Sequence, residues 1–154
     1  MTEKIVHYIE SIHYDLEQTA RLMRLLSVQL FEKLNISLSI DEYAALDTVS
    51  INAGICQRDL AKLILKDRAN TGRILDSLEQ KGFITRFIDT KNNRLVKKTG
   101  ITEKGYKELK SITRKFSDYI NSMTAAIDKE EVDSIQQSLR QFRKTLEKRV
   151  NMNI

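Results

Sequence analysis

Residues 57–105 read QRDLAKLILKDRANTGRILDSLEQKGFITRFIDTKNNRLVKKTGITEKG, and this stretch decides the fold. Leu60, Ala61, Leu63 and Ile64 fall at helical spacing; Ile74, Leu75 and Leu78 do so again after the short connection Leu65-Lys66-Asp67. Asp67 is a residue type that caps a helix by accepting from a backbone amide, and Gly82 is placed to stop the second helix in a left-handed conformation. Two short helices this close predict a helix-turn-helix, in which the first braces the second. After Gly82 the period shortens. Residues 83–88 and 95–101 are rich in β-branched and aromatic side chains and flank the polar run 89–94, which predicts a β-hairpin with a basic tip.

Charge singles out the same stretch. It holds twelve Lys and Arg against six Asp and Glu, a net +6, whereas the whole chain of 154 residues carries +5. A positive field confined to one segment points to a polyanionic partner. The opening turns of the second helix carry Arg68, Asn70, Thr71 and Arg73. Arg bonds bidentately to guanine, Asn to adenine, and Thr reaches a phosphate or a thymine methyl. Gln57 and Arg58 open the first helix, and Lys91, Asn93 and Arg94 stand on the hairpin tip, where cations can enter a narrow minor groove. An alternative for the hairpin charges, Lys97 and Lys98 above all, is protection of a sheet edge. Lys62 and Lys81 read as solvated surface. Two readings stand for Gly72: close approach of backbone to DNA, or tolerated drift costing about 1 kcal/mol against alanine.

Outward from this centre the chain reads as helix. Ile5, Ile9, Ile12, Leu16, Met23, Leu26 and Leu30 recur at helical spacing, predicting a first helix of about 30 residues, ~45 Å long, more than its own core requires. Ser39-Ile40-Asp41-Glu42 has capping-box spacing, so a helix should start near Ile40 and end at Asn52-Ala53-Gly54. Thr102 can cap a helix carrying Tyr106, Leu109, Ile112, Phe116, Tyr119, Ile120 and Met123. Asp128 can cap a last one, with Val132, Ile135, Leu139, Phe142, Leu146 and Val150 forming a stripe that wants a partner. No proline and five glycines fit a mainly helical chain.

The residues from 43 to 105 resemble the multiple-antibiotic-resistance regulator (MarR) family of winged-helix transcription factors. The resemblance is carried by Asp41-Glu42-Tyr43, by CQRDLA at 56–61, by DRANTGRILDSLEQKGFITR at 67–86, by Asn93-Arg94 and by ITEKG at 101–105. It implies a mainly α fold with a small β-hairpin wing: one domain, 1–154, with a winged helix-turn-helix DNA-binding lobe at 37–105 and N- and C-terminal dimerisation helices at 1–36 and 106–154. It also implies a homodimeric regulator of transcription, repressor or activator, on a palindromic site in double-stranded DNA. Arg73 matches the family's recognition-helix arginine and Arg94 its wing arginine. Asn92 departs from the aspartate that usually stands two residues before the wing arginine, and Gly72 and Gly100 replace larger residues. Many relatives bind small aromatic anions between the dimer helices and the lobe; Tyr14, Arg21 and Tyr43 are the candidates for such an effector pocket here.

Other classes find no support in the sequence. It contains no GxGxxG, P-loop, GxSxG or HExxH, no catalytic constellation and no cofactor motif. His7 and His13 are off metal-ligand spacing. No apolar run approaches a membrane span and the N-terminus lacks a signal profile, so a cytoplasmic location is expected. Cys56, the single cysteine, has two readings: a half-buried packing residue, or a thiol made oxidisable by the helix that follows it. The competing functional reading is a winged-helix module that binds an acidic protein.

Overall fold

The computed structural model describes residues 3–151. The chain divides into two compact units, Met1–Ile40 and Asp41–Ile154.

In the first unit a single 3-10 turn, Tyr8–Glu10, precedes helix α1, Ile12–Lys33. The long helix expected from Ile5 is thus shorter, 22 residues, or about 33 Å at 1.5 Å per residue. Ser11 breaks it. Its backbone is extended at φ −87° and ψ 154°, and its Oγ accepts from the Tyr14 amide while donating to the Tyr8 carbonyl. A serine that satisfies an orphan amide in this way starts a helix and does not continue one. The turn before it folds back on α1: the Tyr8 ring meets Tyr14 edge-on at 5.5 Å and its hydroxyl donates to Glu17 at 2.7 Å. Asn35, left-handed at φ 51°, ends the helix, with the Ile36 amide donating to the Phe31 carbonyl. Leu30, Phe31 and Leu38 are buried, whereas Ile12, Leu22, Met23 and Leu25 are exposed.

The second unit holds α2 (Ile40–Ile51, its first residue at the boundary), β1 (Ile55–Cys56), α3 (Gln57–Ile64), α4 (Arg68–Gln80), β2 (Ile84–Lys91), β3 (Arg94–Ile101), α5 (Glu103–Thr124) and α6 (Lys129–Glu147). Its core is built from Leu46 and Val49 of α2, Leu60 of α3, Leu75 and Leu78 of α4, Phe83 and Ile84, and Leu109, Ile112 and Phe116 of α5, all buried. Those of α3, α4 and α5 are among the apolar positions whose spacing predicted the helices, whereas Leu63, read with them, is exposed. The sheet is antiparallel in the order β1-β3-β2, with Ile55 opposite Thr99 and Lys91 opposite Arg94. Two features of it differ from expectation. The hairpin strands run to Lys91 and from Arg94, leaving a two-residue turn, because Asn92 and Asn93 both take left-handed backbone at φ 52° and 61°. The short β1, a strand the sequence does not announce, pairs with β3.

Gly105 shows why the wing and α5 meet as they do. The Phe83 carbonyl accepts from the Thr102 amide at 3.0 Å, and a Cβ on Gly105 would run into that same carbonyl. Thr102 caps α5 as expected, accepting from the Gly105 amide. Asp128 makes no side-chain cap bond, contrary to expectation, and α6 ends at Glu147, short of Val150. Ile135, Leu139, Leu146 and Val150 are exposed. No helix among the described residues is long and apolar enough to cross a membrane.

Candidate nucleic-acid interface

The turn between α3 and α4 is fixed by backbone chemistry. Leu65 caps α3 in the left-handed region at φ 56°, with the Lys66 amide donating to the Ala61 carbonyl at 3.0 Å. Asp67 then caps α4 twice over: Oδ1 accepts from the Asn70 amide at 2.7 Å and Oδ2 from Asn70 Nδ2 at 2.8 Å. Gln57 Nε2 donates to the Arg68 carbonyl at 3.2 Å, joining the first residue of each helix. A Cβ on Gly72 would stand 3.2 Å from that same Gln57 nitrogen. That atom is the far end of a flexible side chain and need shift only by a few tenths of an ångström, so the contact does not decide between the two sequence readings of Gly72.

Helical rotation of about 100° per residue sorts α4 into faces. Thr71, Leu75 and Leu78 point inward and are buried. The expectation that Thr71 reads DNA is corrected: it is fully buried, and its hydroxyl donates to the Asp67 carbonyl at 2.8 Å. Nearly opposite lie Ala69 and Arg73, both exposed. Arg73 Nε makes one long bond, 3.5 Å, to the Ala69 carbonyl. Ala69 carries no hydrogen-bonding group to single it out in the sequence, but the helical wheel through Leu75 and Leu78 places it beside Arg73. Arg68 and Asn70 are exposed on the flanks of the first turn, with the Asn70 amide group held by Asp67.

The basic residues separate into two sets. Lys66 pairs with Asp41 at 3.2 Å, Lys81 with Glu42 at 2.9 Å, Lys98 with Asp89 at 2.8 Å, and Arg86 with Asp76 and Glu79 at 2.6 and 2.9 Å. Lys81 is thus no solvated bystander, and Glu42 Oε2 accepts both from it and from the Ser77 hydroxyl. Hydrogen bonds from Arg86 and Lys98 hold the Glu79 and Asp89 carboxyls below their ordinary range, and Glu79 in turn pushes Arg86 up. By contrast Arg58, Lys62, Arg68, Arg73, Lys91, Arg94 and Lys97 are exposed and make no ion pair among the described residues, while exposed Lys104 gives its ammonium to the Lys81 carbonyl. Asn93 is exposed in the wing turn beside Lys91 and Arg94. Internal acids neutralise the first set; the second leaves positive charge on the outer face of the helix-turn-helix and on the wing tip.

The remaining candidates lie on different elements. Cys56 is half-buried at the α3 N-cap, with its backbone paired to Lys98 in the sheet. Tyr14 and Arg21 lie on α1, where Tyr14 accepts from Gln18 at 2.8 Å and Arg21 pairs with Glu17 at 2.6 Å. Tyr43, on α2, shares a hydrogen bond with Thr113 at 2.9 Å and sets its ring edge-on to Phe116. A cleft of about 320 Å³ opens between α2 and α5, lined by Asp47, Tyr106, Leu109, Lys110, Thr113 and Arg114; Tyr43 is not among these residues.

Comparison with known proteins agrees with this architecture. The profile of the MarR family matches residues 38–96. The HTH-type transcriptional regulator YybA of Bacillus subtilis (strain 168) is 30% identical over 122 residues, 79% of this chain and 81% of that protein. The crystal structure of the transcriptional regulator SlyA is 29% identical, with a TM-score of 0.76 over 90% of this chain and 95% of its own. The S. aureus MepR-DNA complex has the same fold at 20% identity, with a TM-score of 0.74 over 91% of this chain and 99% of its own. With the helix-turn-helix, the wing and these likenesses in place, the chain belongs to the MarR family of winged-helix regulators, which act on transcription and are not enzymes.

Proposed function

We propose that this protein is a homodimeric, sequence-specific regulator, a repressor, that binds a palindromic operator in double-stranded DNA. The observation that carries the reading is the separation of its cations. Those at the exposed positions of α3 and α4 and on the wing tip make no ion pair among the described residues, whereas Lys66, Lys81, Arg86 and Lys98 are neutralised by acids of the lobe. Arg73 and Ala69 are the base-reading pair, Arg for guanine and the Ala methyl for thymine. Arg58, Arg68, Asn70 and Gln57 address the backbone at the helix N-termini, and Lys91, Asn93 and Arg94 enter the flanking minor groove. That a protein of the same fold, MepR, has been solved as a DNA complex supports DNA as the partner.

The exposed apolar residues of α1 and of α6 are the surfaces proposed to join two copies. Residues 1–36 and 106–154 would then form the dimer and 37–105 the DNA-binding lobe. A small-molecule or oxidative signal acting on this dimer would release the operator. For an oxidant the responding group is Cys56, and an unchanged peroxide response in Cys56→Ser would remove it from the scheme.

The direct experiment is a gel shift with DNA from upstream of the protein's own gene, beside light scattering. A dimer that shifts this fragment and not a scrambled one supports the proposal. An intact dimer that shifts neither would favour the reading in which an acidic protein binds this surface.

A further inference from the structure

The wing projects beyond its support. On the hairpin face that meets α4, Ile84 and Thr99 are buried and the Arg86 side chain is 13% exposed, whereas farther out on that face Ile88 and Leu95 are 69% and 79% exposed. Two groups of β2 and β3 reach toward acids of α4. Lys97 adds a longer-range attraction to Glu79, but Arg86 makes the direct bonds: Nη2 to Asp76 Oδ1 at 2.6 Å, Nη2 to Glu79 Oε1 at 2.9 Å and Nε to Glu79 Oε2 at 3.2 Å. The pairing with Glu79 is a fork-to-fork contact, which fixes direction as well as distance. The Lys98 pair with Asp89 joins one wing strand to the other and does not reach the helix. At the tip, Asn92 is an uncharged turn residue at φ 52°, and Arg94 has no carboxylate to steady it among the described residues.

We propose that Arg86 is a positioning residue that sets the angle of the wing against the recognition helix, so that Lys91 and Arg94 reach their groove only while Arg86 grips Asp76 and Glu79. The proposal rests on the DNA-binding reading above and adds to it the place where the wing is aimed: its root, not its tip. Lever arithmetic shows why the root matters. From Arg86 to Lys91 the strand extends about 17 Å at ~3.4 Å per residue, so a tilt of roughly 10° at the root moves the tip about 3 Å. A displacement of that size exceeds the tolerance of any hydrogen bond the tip makes.

The test is a double-mutant cycle on the operator fragment shifted by the wild-type dimer, read as Kd by fluorescence anisotropy. Arg94→Ala is measured in the wild-type background and in Asp76→Asn/Glu79→Gln. These two acids are exposed at 67% and 43%, so their replacement spares the core, and circular dichroism confirms folding. Arg94→Ala is expected to weaken binding about tenfold in the first background and less than twofold in the second. Reading only the increment due to Arg94 cancels the charge gained by removing the acids. The exchange Arg86→Glu/Glu79→Arg should restore most of the Arg94 increment, which a merely stabilising role for Arg86 would not require. Equal increments in the two backgrounds would overturn the role of Arg86 and leave the DNA reading standing; a wild-type protein that shifts no fragment would overturn both.

Discussion

The separation of cations into paired and unpaired sets predicts how binding should respond to salt. Neutralising each phosphate releases condensed counterions, and log K falls against log salt with a slope of about −0.9 per contact on duplex DNA. If Arg73 is given to a base, Arg58 and Arg68 at phosphates and Lys91 and Arg94 between the phosphates that wall the minor groove each displace counterions, eight such cations in a dimer, which gives a slope of about −7. Affinity should therefore fall by roughly 10⁴ between 50 and 200 mM salt. Lys91→Gln removes one such cation per protomer and should bring the slope to about −5. Lys98→Gln combined with Asp89→Asn removes a pair already neutralised at 2.8 Å and should leave the slope unchanged. The assay is a set of anisotropy titrations across the salt range with one operator duplex. A slope near zero would refute the electrostatic reading of the surface. A fall for the Lys98/Asp89 variant as large as that for Lys91→Gln would refute the sorting of the cations.

Arg73→Ala should weaken binding to the specific duplex by about 1–3 kcal/mol while leaving affinity for scrambled DNA nearly unchanged, measured in the same titrations. Thr71→Val should leave the affinity of the folded dimer intact and lower stability by about 1 kcal/mol in urea unfolding, since a buried hydroxyl bond is lost. Gly105→Ala should destabilise the protein by about 3 kcal/mol or more in the same assay, because the group it would strike is the Phe83 backbone carbonyl and not a movable side chain. Both Glu79 and Asp89 have folded values below their ordinary 4.5 and 3.8, so their contribution is present above those values and lost as pH falls through the lowered ones. Acid titration followed by circular dichroism should show Glu79→Gln flattening the acid limb below about pH 4.5.

Local chemistry made much of this protein legible before any coordinates. Asp67, Thr102, Gly54 and Gly82 mark element boundaries through interactions within a few residues, and the apolar spacing of α3, α4 and α5 contains the core residues Leu60, Ala61, Leu75, Leu78, Leu109, Ile112 and Phe116, although Leu63, Tyr106, Ile120 and Met123 of the same stripes stay exposed. Where local signals competed, the reading was less sharp. Apolar periodicity carried the first helix back to Ile5, but the Ser11 cap overruled it, and the run 89–94 concealed a two-residue turn because asparagine alone does not announce its left-handed φ. The candidate interface was legible as a list of cations and not as a surface. Thr71 lies one residue from Asn70 in the chain and on the opposite side of the solvent boundary, a distinction made by which face of α4 the core claims.

What the sequence by itself determined is therefore the order of elements, the family and the concentration of positive charge between residues 57 and 105. Only the tertiary structure decided which of those charges are available. Lys66 to Asp41, Lys81 to Glu42, and Arg86 to Asp76 and Glu79 each join different elements, over separations of up to 39 residues. A charge count treats every lysine and arginine alike, whereas Coulomb attraction between groups 3 Å apart depends on where folding has placed the acids. That placement leaves Arg58, Arg68, Arg73, Lys91 and Arg94, with Lys62 and Lys97, as the unpaired cations and makes Arg86, nearly hidden from solvent, the joint between the recognition helix and the wing.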